Sequence, residues 1–228
     1  VASNSDPQGK IEQVHKRLIE EYGEPQRSRR APSSPVSTLV GTILSQNTND
    51  VNRDRAFERL KARFPTWEQV RDAPVDAIIE AIRPAGLSNQ KAPRIKKALQ
   101  RITEEQGDLS LDFLSDMPLE EARDWLESIK GVGPKTAAIV LLFSLGRPAF
   151  PVDTHVHRVT QRLGLIDDGT SAEKAQILLE EQLPSEWYYA FHVNLIRHGR
   201  QVCHAREPEC KVCVVNSLCD FYQRRSES

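Results

Sequence analysis

Cysteine is absent from the first 202 residues of this 228-residue chain. All four lie near the C-terminal end, as Cys203-x6-Cys210-x2-Cys213-x5-Cys219. Staples spread over a fold need cysteines spread over the sequence, so this distribution argues against a disulfide framework. Four thiolates this close can instead converge on one point and hold zinc or an iron–sulfur cluster. No apolar run approaches the roughly 20 residues that span a bilayer, so no membrane association is expected. Residues 1–7 carry neither a charged n-region nor an apolar stretch, so no signal peptide is expected either.

An excess of positive charge is also missing. Lys and Arg number 31 against 32 Asp and Glu, for a net charge of −1. A simple nucleic-acid binder usually has a basic balance. Phosphates respond to local fields, however, and not to the total. Local basic clusters occur at Arg27-Ser28-Arg29-Arg30, from Lys91 to Arg101 and from Arg197 to Arg206. Taken singly, each reads as a solvated surface face.

Strand-like alternation is scarce, and helical periodicity dominates. Ile11, Val14, Leu18, Ile19 and Tyr22 share one face, and Gly23 and Pro25 end that helix. Residues 24–35, rich in Pro, Arg and Ser, read as a linker. Val36, Leu39, Val40, Ile43 and Leu44 form the next apolar stripe. Further helices are predicted near 50–62, 66–71, 75–83, 91–105, 118–129, 134–145, 154–163, 171–182 and 185–198. The predicted fold class is all-α, with short helices and tight turns. Residues 78–95 echo the plan of residues 126–139: a helix, a small-residue hairpin, then a second helix with Lys near its start.

The most informative run is Ile129-Lys130-Gly131-Val132-Gly133-Pro134-Lys135-Thr136-Ala137. Two glycines between helical patterns permit positive φ and close backbone approach. Pro134 suits a first helical turn. The run would leave unpaired amides at a positive helix end, a binding place for phosphate. It could equally be a plain connection between helices. The phosphate-loop spacing Gly-x4-Gly-Lys-Ser/Thr is absent. Lys135 would sit where the helix field disfavours its charge, which favours the neutral, nucleophilic amine. A solvated lysine acting as a point charge is the plainer alternative. Asp153, in Pro151-Val152-Asp153-Thr154-His155, is placed first of all to cap a helix. A carboxylate so held could also take a proton or stabilise a cation.

Together these residues resemble the endonuclease III family of helix-hairpin-helix DNA glycosylases. The matching runs are Leu44-Ser45-Gln46, Gly86-Leu87, residues 129–137, Val152-Asp153-Thr154-His155, His198-Gly199-Arg200 and the cysteine set at 6-2-5 spacing. They cover roughly residues 35–220 in the family's order. The resemblance implies two helical domains flanking a DNA-binding cleft. One is a helical barrel over 36–147 with the helix-hairpin-helix; the other joins 1–35 to 148–228 and carries the iron–sulfur loop. The implied activity is excision of oxidised pyrimidines from DNA, followed by strand cleavage at the abasic site. The damaged nucleotide is flipped out of the duplex first. Lys135 is then the Schiff-base nucleophile and Asp153 its partner in proton transfer and charge stabilisation. Gly131, Val132 and Gly133 hold a backbone phosphate. Gln46 and Asn47 fill the gap left by the flipped base. Leu87 wedges into the opposite strand, and His155 lies beside the pocket. Cys203, Cys210, Cys213 and Cys219 bind a [4Fe–4S] cluster. The expected partner is double-stranded DNA carrying damaged bases or abasic sites. The protein is expected to be a monomer at the nucleoid of a prokaryotic cytoplasm. A mismatch-specific glycosylase of the same fold and a noncatalytic DNA-binding zinc protein are the alternatives.

Overall fold

A computed structural model describes residues 7–26 and 34–226. The basic cluster Arg27–Arg30, and with it most of the expected linker, lies outside the described residues. The described chain is helical, with no strand among its elements. Twelve helices follow in order: α1 (Pro7–Tyr22), α2 (Pro35–Ser45), α3 (Asp50–Arg63), α4 (Trp67–Asp72), α5 (Val75–Ile82), α6 (Ser88–Gln106), α7 (Leu119–Glu127), α8 (Pro134–Ile139), α9 (Thr154–Leu163), α10 (Ala172–Gln182), α11 (Tyr188–Gln201) and α12 (Asp220–Ser226). Short 3₁₀ turns, among them Arg83–Ala85 and Asp112–Ser115, fill several joints. No helix among the described residues is long and apolar enough to cross a membrane.

Several helices start where the sequence offers an acceptor for the first free amides. Ser34 accepts from the amide of Ser37, Asn49 from Asn52 and Ser171 from Lys174. Thr66 and Gln69 form a reciprocal capping box. One boundary differs from expectation. α6 begins at Ser88 and takes Pro93 into its interior. The proline forfeits the bond to the carbonyl of Asn89, but Asn89 is exposed and water can replace it.

The chain divides into two units, Ala31–Arg147 and Val1–Arg30 with Pro148–Ser228. In the first, α2 is the central element. Leu39, Val40, Ile43 and Leu44 are fully buried, and the helix packs against α3, α6 and α8. Each such side chain contributes roughly 1.5–3 kcal/mol by burial. α8 runs into a π-helical turn, Val140–Ser144, which lets Val140, Leu141 and Leu142 all reach the core. Arg147 closes the unit by donating to the carbonyls of Leu114 and Met117 at 2.6 and 2.5 Å.

In the second unit α11 is central, packed against α1 and α9. Phe150, Tyr188 and Phe191 form an aromatic core, with Phe150 5.4 Å from Tyr188 between ring centroids. Asn194 donates to the carbonyls of Leu18 and Gly23, and Arg197 to that of Tyr22. These bonds finish the C-terminal end of α1 across more than 170 residues of sequence.

His15 of α1 stacks on Trp187 at 4.4 Å between centroids. Its buried Nδ1 has no hydrogen-bond partner among the described residues. Burial lowers its pKa below 6.5, against a weaker opposing pull from Glu24. The folded state therefore stays neutral while the unfolded chain takes up a proton as pH falls through 6.5. This site's contribution is fully present above 6.5 and is lost as pH drops towards the lowered value. The expected result is a melting temperature that falls less steeply on acidification in His15→Phe than in the wild type. Parallel pH profiles for the two proteins would contradict it.

Candidate functional site

In the unit Ala31–Arg147, the candidate site is built on the turn between α7 and α8. The chain leaves α7 through amide bonds from Ile129 to Leu126 and from Val132 to Ile129, at 3.1 and 2.9 Å. Val132 is buried and anchors the turn. The two glycines beside it have different causes. Gly131 has φ +93°, and a Cβ there would lie 2.7 Å from Cδ of Arg94. Both conformation and space demand glycine. Gly133 has φ −113° and ψ −178°, ordinary extended backbone, and nothing lies within 4 Å of its missing Cβ. The fold does not require glycine at 133, which leaves the backbone bare and approachable from outside.

Gly133 caps α8 without any side-chain bond. The first amides of the helix therefore point out of its end with no cap. Lys135 projects from this first turn and is exposed, while Thr136, Ala137 and Ala138 face the core. Thus the uncapped helix end and an accessible amine share one short segment.

Two loops of the same unit carry the other expected contacts. Gln46 follows α2, and its amide is engaged by the hairpin: Nε2 donates to the carbonyl of Gly131 at 3.0 Å, and Oε1 accepts from Arg94 at 3.4 Å. Asn47 beside it is exposed with φ +51°. Leu87 follows the 3₁₀ turn Arg83–Ala85 with φ +49° and is 45% exposed. An exposed leucine in a left-handed backbone is costly for packing and for conformation alike.

In the other unit, Asp153 caps α9. Its Oδ1 accepts from the amides of His155 and Val156 at 2.9 and 2.8 Å, which holds the carboxylate in one orientation. His155, half-buried, receives a contact from Arg158 at 3.2 Å on Nδ1. Arg158 also donates to the carbonyls of Gly199 and Cys203. Gly199 packs closely here: a Cβ there would lie 3.1 Å from side-chain atoms of His155. Arg162, one turn on, donates to the carbonyls of His204 and Ala205 and lies 3.3 Å from Sγ of Cys203. α9 therefore carries Asp153 at one end and grips the cysteine loop with two arginines.

None of the four cysteines is disulfide-bonded. All four line one cavity, which His198 and Arg162 also border. Among the described residues, no three His, Cys, Asp or Glu side chains are grouped to hold a single metal ion. Burial pushes the Cys213 thiol up to about 11 and raises that of Cys219. Bare thiolates are thus disfavoured unless a cationic group stands among them. His198 is buried, held down to about 4 by burial, and bonded to Tyr22 at 2.9 Å. Its neutral Nε2 lies 3.4 Å from Sγ of Cys213. Four cysteines on one cavity are a donor set for zinc or for an iron–sulfur cluster.

The basic run from Lys91 to Arg101 is only in part a solvated face, at Lys97 and the Arg101–Glu105 pair. Lys91 is buried, Arg94 packs on Gly131, Lys96 donates to the carbonyl of Ala73, and Arg101 pairs with Glu105. The structural roles of Lys91, Arg94, Arg158 and Arg162 have no local signature. Each answers a carbonyl or a glycine from a distant segment.

Comparison with known proteins matches residues 40–185 to the HhH-GPD superfamily base excision DNA repair protein family. Endonuclease III of Sulfolobus acidocaldarius is 36% identical over 188 residues, covering 82% of each chain. A candidate DNA glycosylase of Arabidopsis thaliana is 39% identical over 184 residues; the match spans 78% of this chain and 62% of that longer protein. A trapped endonuclease III–DNA covalent intermediate superposes with a TM-score of 0.82 at 27% identity, covering 96% of this chain and 98% of that one.

The two hairpin glycines separate in their expected response to alanine. Gly131→Ala must adopt a left-handed backbone and displace Arg94, a cost on the order of 2 kcal/mol or more. Gly133→Ala is neutral or stabilises by about 0.4–1 kcal/mol, because only unfolded-state entropy changes. Denaturant unfolding of both variants checks the difference.

Proposed function

Because this chain belongs to the HhH-GPD superfamily of base excision DNA repair proteins, and within it to the endonuclease III family, we propose that it is a bifunctional DNA glycosylase and abasic-site lyase acting on oxidised pyrimidines such as thymine glycol. The observation that carries the reading is the exposed Lys135 on the first turn of α8, directly after an uncapped glycine hairpin. The substrate is double-stranded DNA with one damaged nucleotide flipped out of the stack, and the enzyme acts as a monomer.

The hairpin from Gly131 to Gly133 binds a backbone phosphate through amides other than that of Val132, which donates to Ile129. Lys135, as the neutral amine, attacks C1′ of the flipped nucleotide. The bond from C1′ to the base breaks, and its electron pair leaves with the base. Opening of the sugar yields a protonated Schiff base, which serves as an electron sink. Loss of a C2′ proton then expels the 3′ phosphate, and water releases Lys135. Asp153 accepts the proton that the amine sheds and stabilises the cationic sugar. Its two amide bonds fix the carboxylate for that work. Leu87 wedges between bases and Asn47 enters the vacated space, while Gln46 supports the hairpin as well. His155 lines the pocket beside Asp153.

Cys203, Cys210, Cys213 and Cys219 hold a [4Fe–4S] cluster. Bound there, it supplies the positive charge that buried thiolates need and ties together a segment too polar to form its own core. Its part in the reaction is indirect: Arg158 and Arg162 brace α9, and so Asp153, against the cysteine loop.

Incubation with duplex DNA carrying one thymine glycol, followed by borohydride, is expected to give a covalent protein–DNA adduct that is absent in Lys135→Ala. An adduct only with a preformed abasic site would keep the lyase and change the lesion. No adduct with either would overturn the reading. The purified protein is further expected to contain iron and acid-labile sulfide in equal amounts. Both should fall in Cys213→Ala, together with its melting temperature. Zinc alone in the preparation would contradict the cluster assignment.

A further inference from the structure

Lys91 is a buried lysine in an otherwise apolar setting. It is 1% exposed and ranks with phenylalanines and isoleucines among the largest fully buried side chains. An ammonium is expensive to bury, and a leucine or methionine would fill the same space. The charge is used on two backbone acceptors. Nζ donates to the carbonyl of Leu44 at 2.8 Å and to that of Ala85 at 2.9 Å. Its own amide donates to the carbonyl of Leu87 at 2.9 Å.

Both side-chain acceptors stand at helix ends, where carbonyls lack intrahelical partners and carry partial negative charge. Leu44 is the penultimate residue of α2, and Ala85 the last of its 3₁₀ turn. Beyond each acceptor the chain turns into a left-handed conformation, at Asn47 and at Leu87. These are two of only three non-glycine residues with positive φ among the described residues. Such conformations persist where their surroundings over-determine them. One buried cation thus bonds to the roots of two loops whose exposed tips are Asn47 and Leu87.

We propose that Lys91 is a positioning residue that locks the Gln46–Asn47 loop and the Leu87 loop into one rigid element for opening duplex DNA. The proposal rests on the reading above, in which Leu87 and Asn47 enter the duplex. It adds that the two act as a pair at fixed spacing, set by a residue that touches no DNA. Neither loop then has to be ordered separately when the duplex is strained open, which avoids an entropic cost at the moment of flipping.

The test compares wild type, Lys91→Met, Lys91→Arg and Leu87→Ala on two substrates. One is a thymine-glycol duplex with 2-aminopurine opposite the lesion, whose fluorescence rises on unstacking. The other is a single strand with a preformed abasic site, where there is no duplex to open. Lys91→Met is expected to lower duplex excision and the fluorescence rise by about tenfold or more, as small misplacements do. Cleavage of the single strand should stay within about twofold, and Lys91→Arg should recover part of the duplex activity. A parallel fall on both substrates, or no fall on either, would overturn the proposal. Loss of duplex activity in Leu87→Ala but not in Lys91→Met would overturn it while leaving the wedge intact. No loss in Leu87→Ala would overturn the wedge reading itself, and the proposal with it. If Lys91→Met gives no cooperative melt, the same ratio in Lys91→Gln decides by the same outcomes.

Discussion

Short helices leave much of their backbone within one turn of an end, where amides and carbonyls have no intrahelical partner. How each end is satisfied organises this molecule. Some ends are closed by local caps, such as Ser34, Asn49 and Thr66. Others are closed from afar, by Lys91 at Leu44 and Ala85, by Asn194 at Gly23, and by Arg147 at Leu114 and Met117. α8 begins without a side-chain acceptor at Gly133, as do α6 at Leu87 and α7 at Pro118. Asp153 caps α9 while offering the carboxylate for chemistry. Structural and functional demands meet at one kind of group, the unpaired backbone amide or carbonyl.

That view also accounts for the charge balance. A net charge of −1 sits poorly with a DNA-binding protein if every basic residue is imagined on the surface. Many are not free to meet phosphate. Arg17, Arg147, Arg158, Arg162 and Arg197 all donate to backbone carbonyls, and Lys91 is buried outright. Binding would then rest on directed amides and a few placed side chains, with a shallow dependence on salt. Glu207 and Glu209 in the cysteine loop point the same way. Glu209 faces His204 at 3.3 Å, and Glu207 is exposed in a left-handed backbone.

Most helices were legible from apolar spacing and from Gly and Pro at the joints, within a few residues at each end. Where the reading stopped short, the cause was local at α6 and tertiary elsewhere. A helix is expected from about residue 91, yet α6 starts at Ser88, with Leu87 accepting from the amides of Gln90 and Lys91 in its first turn. The 3₁₀ turn Asp112–Ser115 is held by Arg147, 30 residues or more away, and has no periodicity to announce it. α12 packs on α9, and its Asp220 pairs with Lys10 at 2.5 Å. Nothing within the seven residues of that helix could signal the contact.

The sequence by itself determined what depends on neighbours along the chain: the all-α class, the caps, the glycine hairpin leading into α8, and the grouping of four cysteines within seventeen residues. These are short-range matters of dihedral preference, spacing and ligand chemistry. Only the tertiary structure decided which polar groups are taken up by the fold. Lys91 and Arg94 look alike in a basic run, yet one is buried between two carbonyls and the other packs on Gly131. Gln46 is engaged across 85 residues by the hairpin, while Asn47 beside it is exposed. Gly131 and Gly133 are identical letters, but the first is demanded by φ and Arg94 and the second by nothing in the fold. The physical reason is common to all three pairs. A buried backbone acceptor or a close approach recruits its partner by position in space, and position in space is set by the packing of segments far apart in the chain.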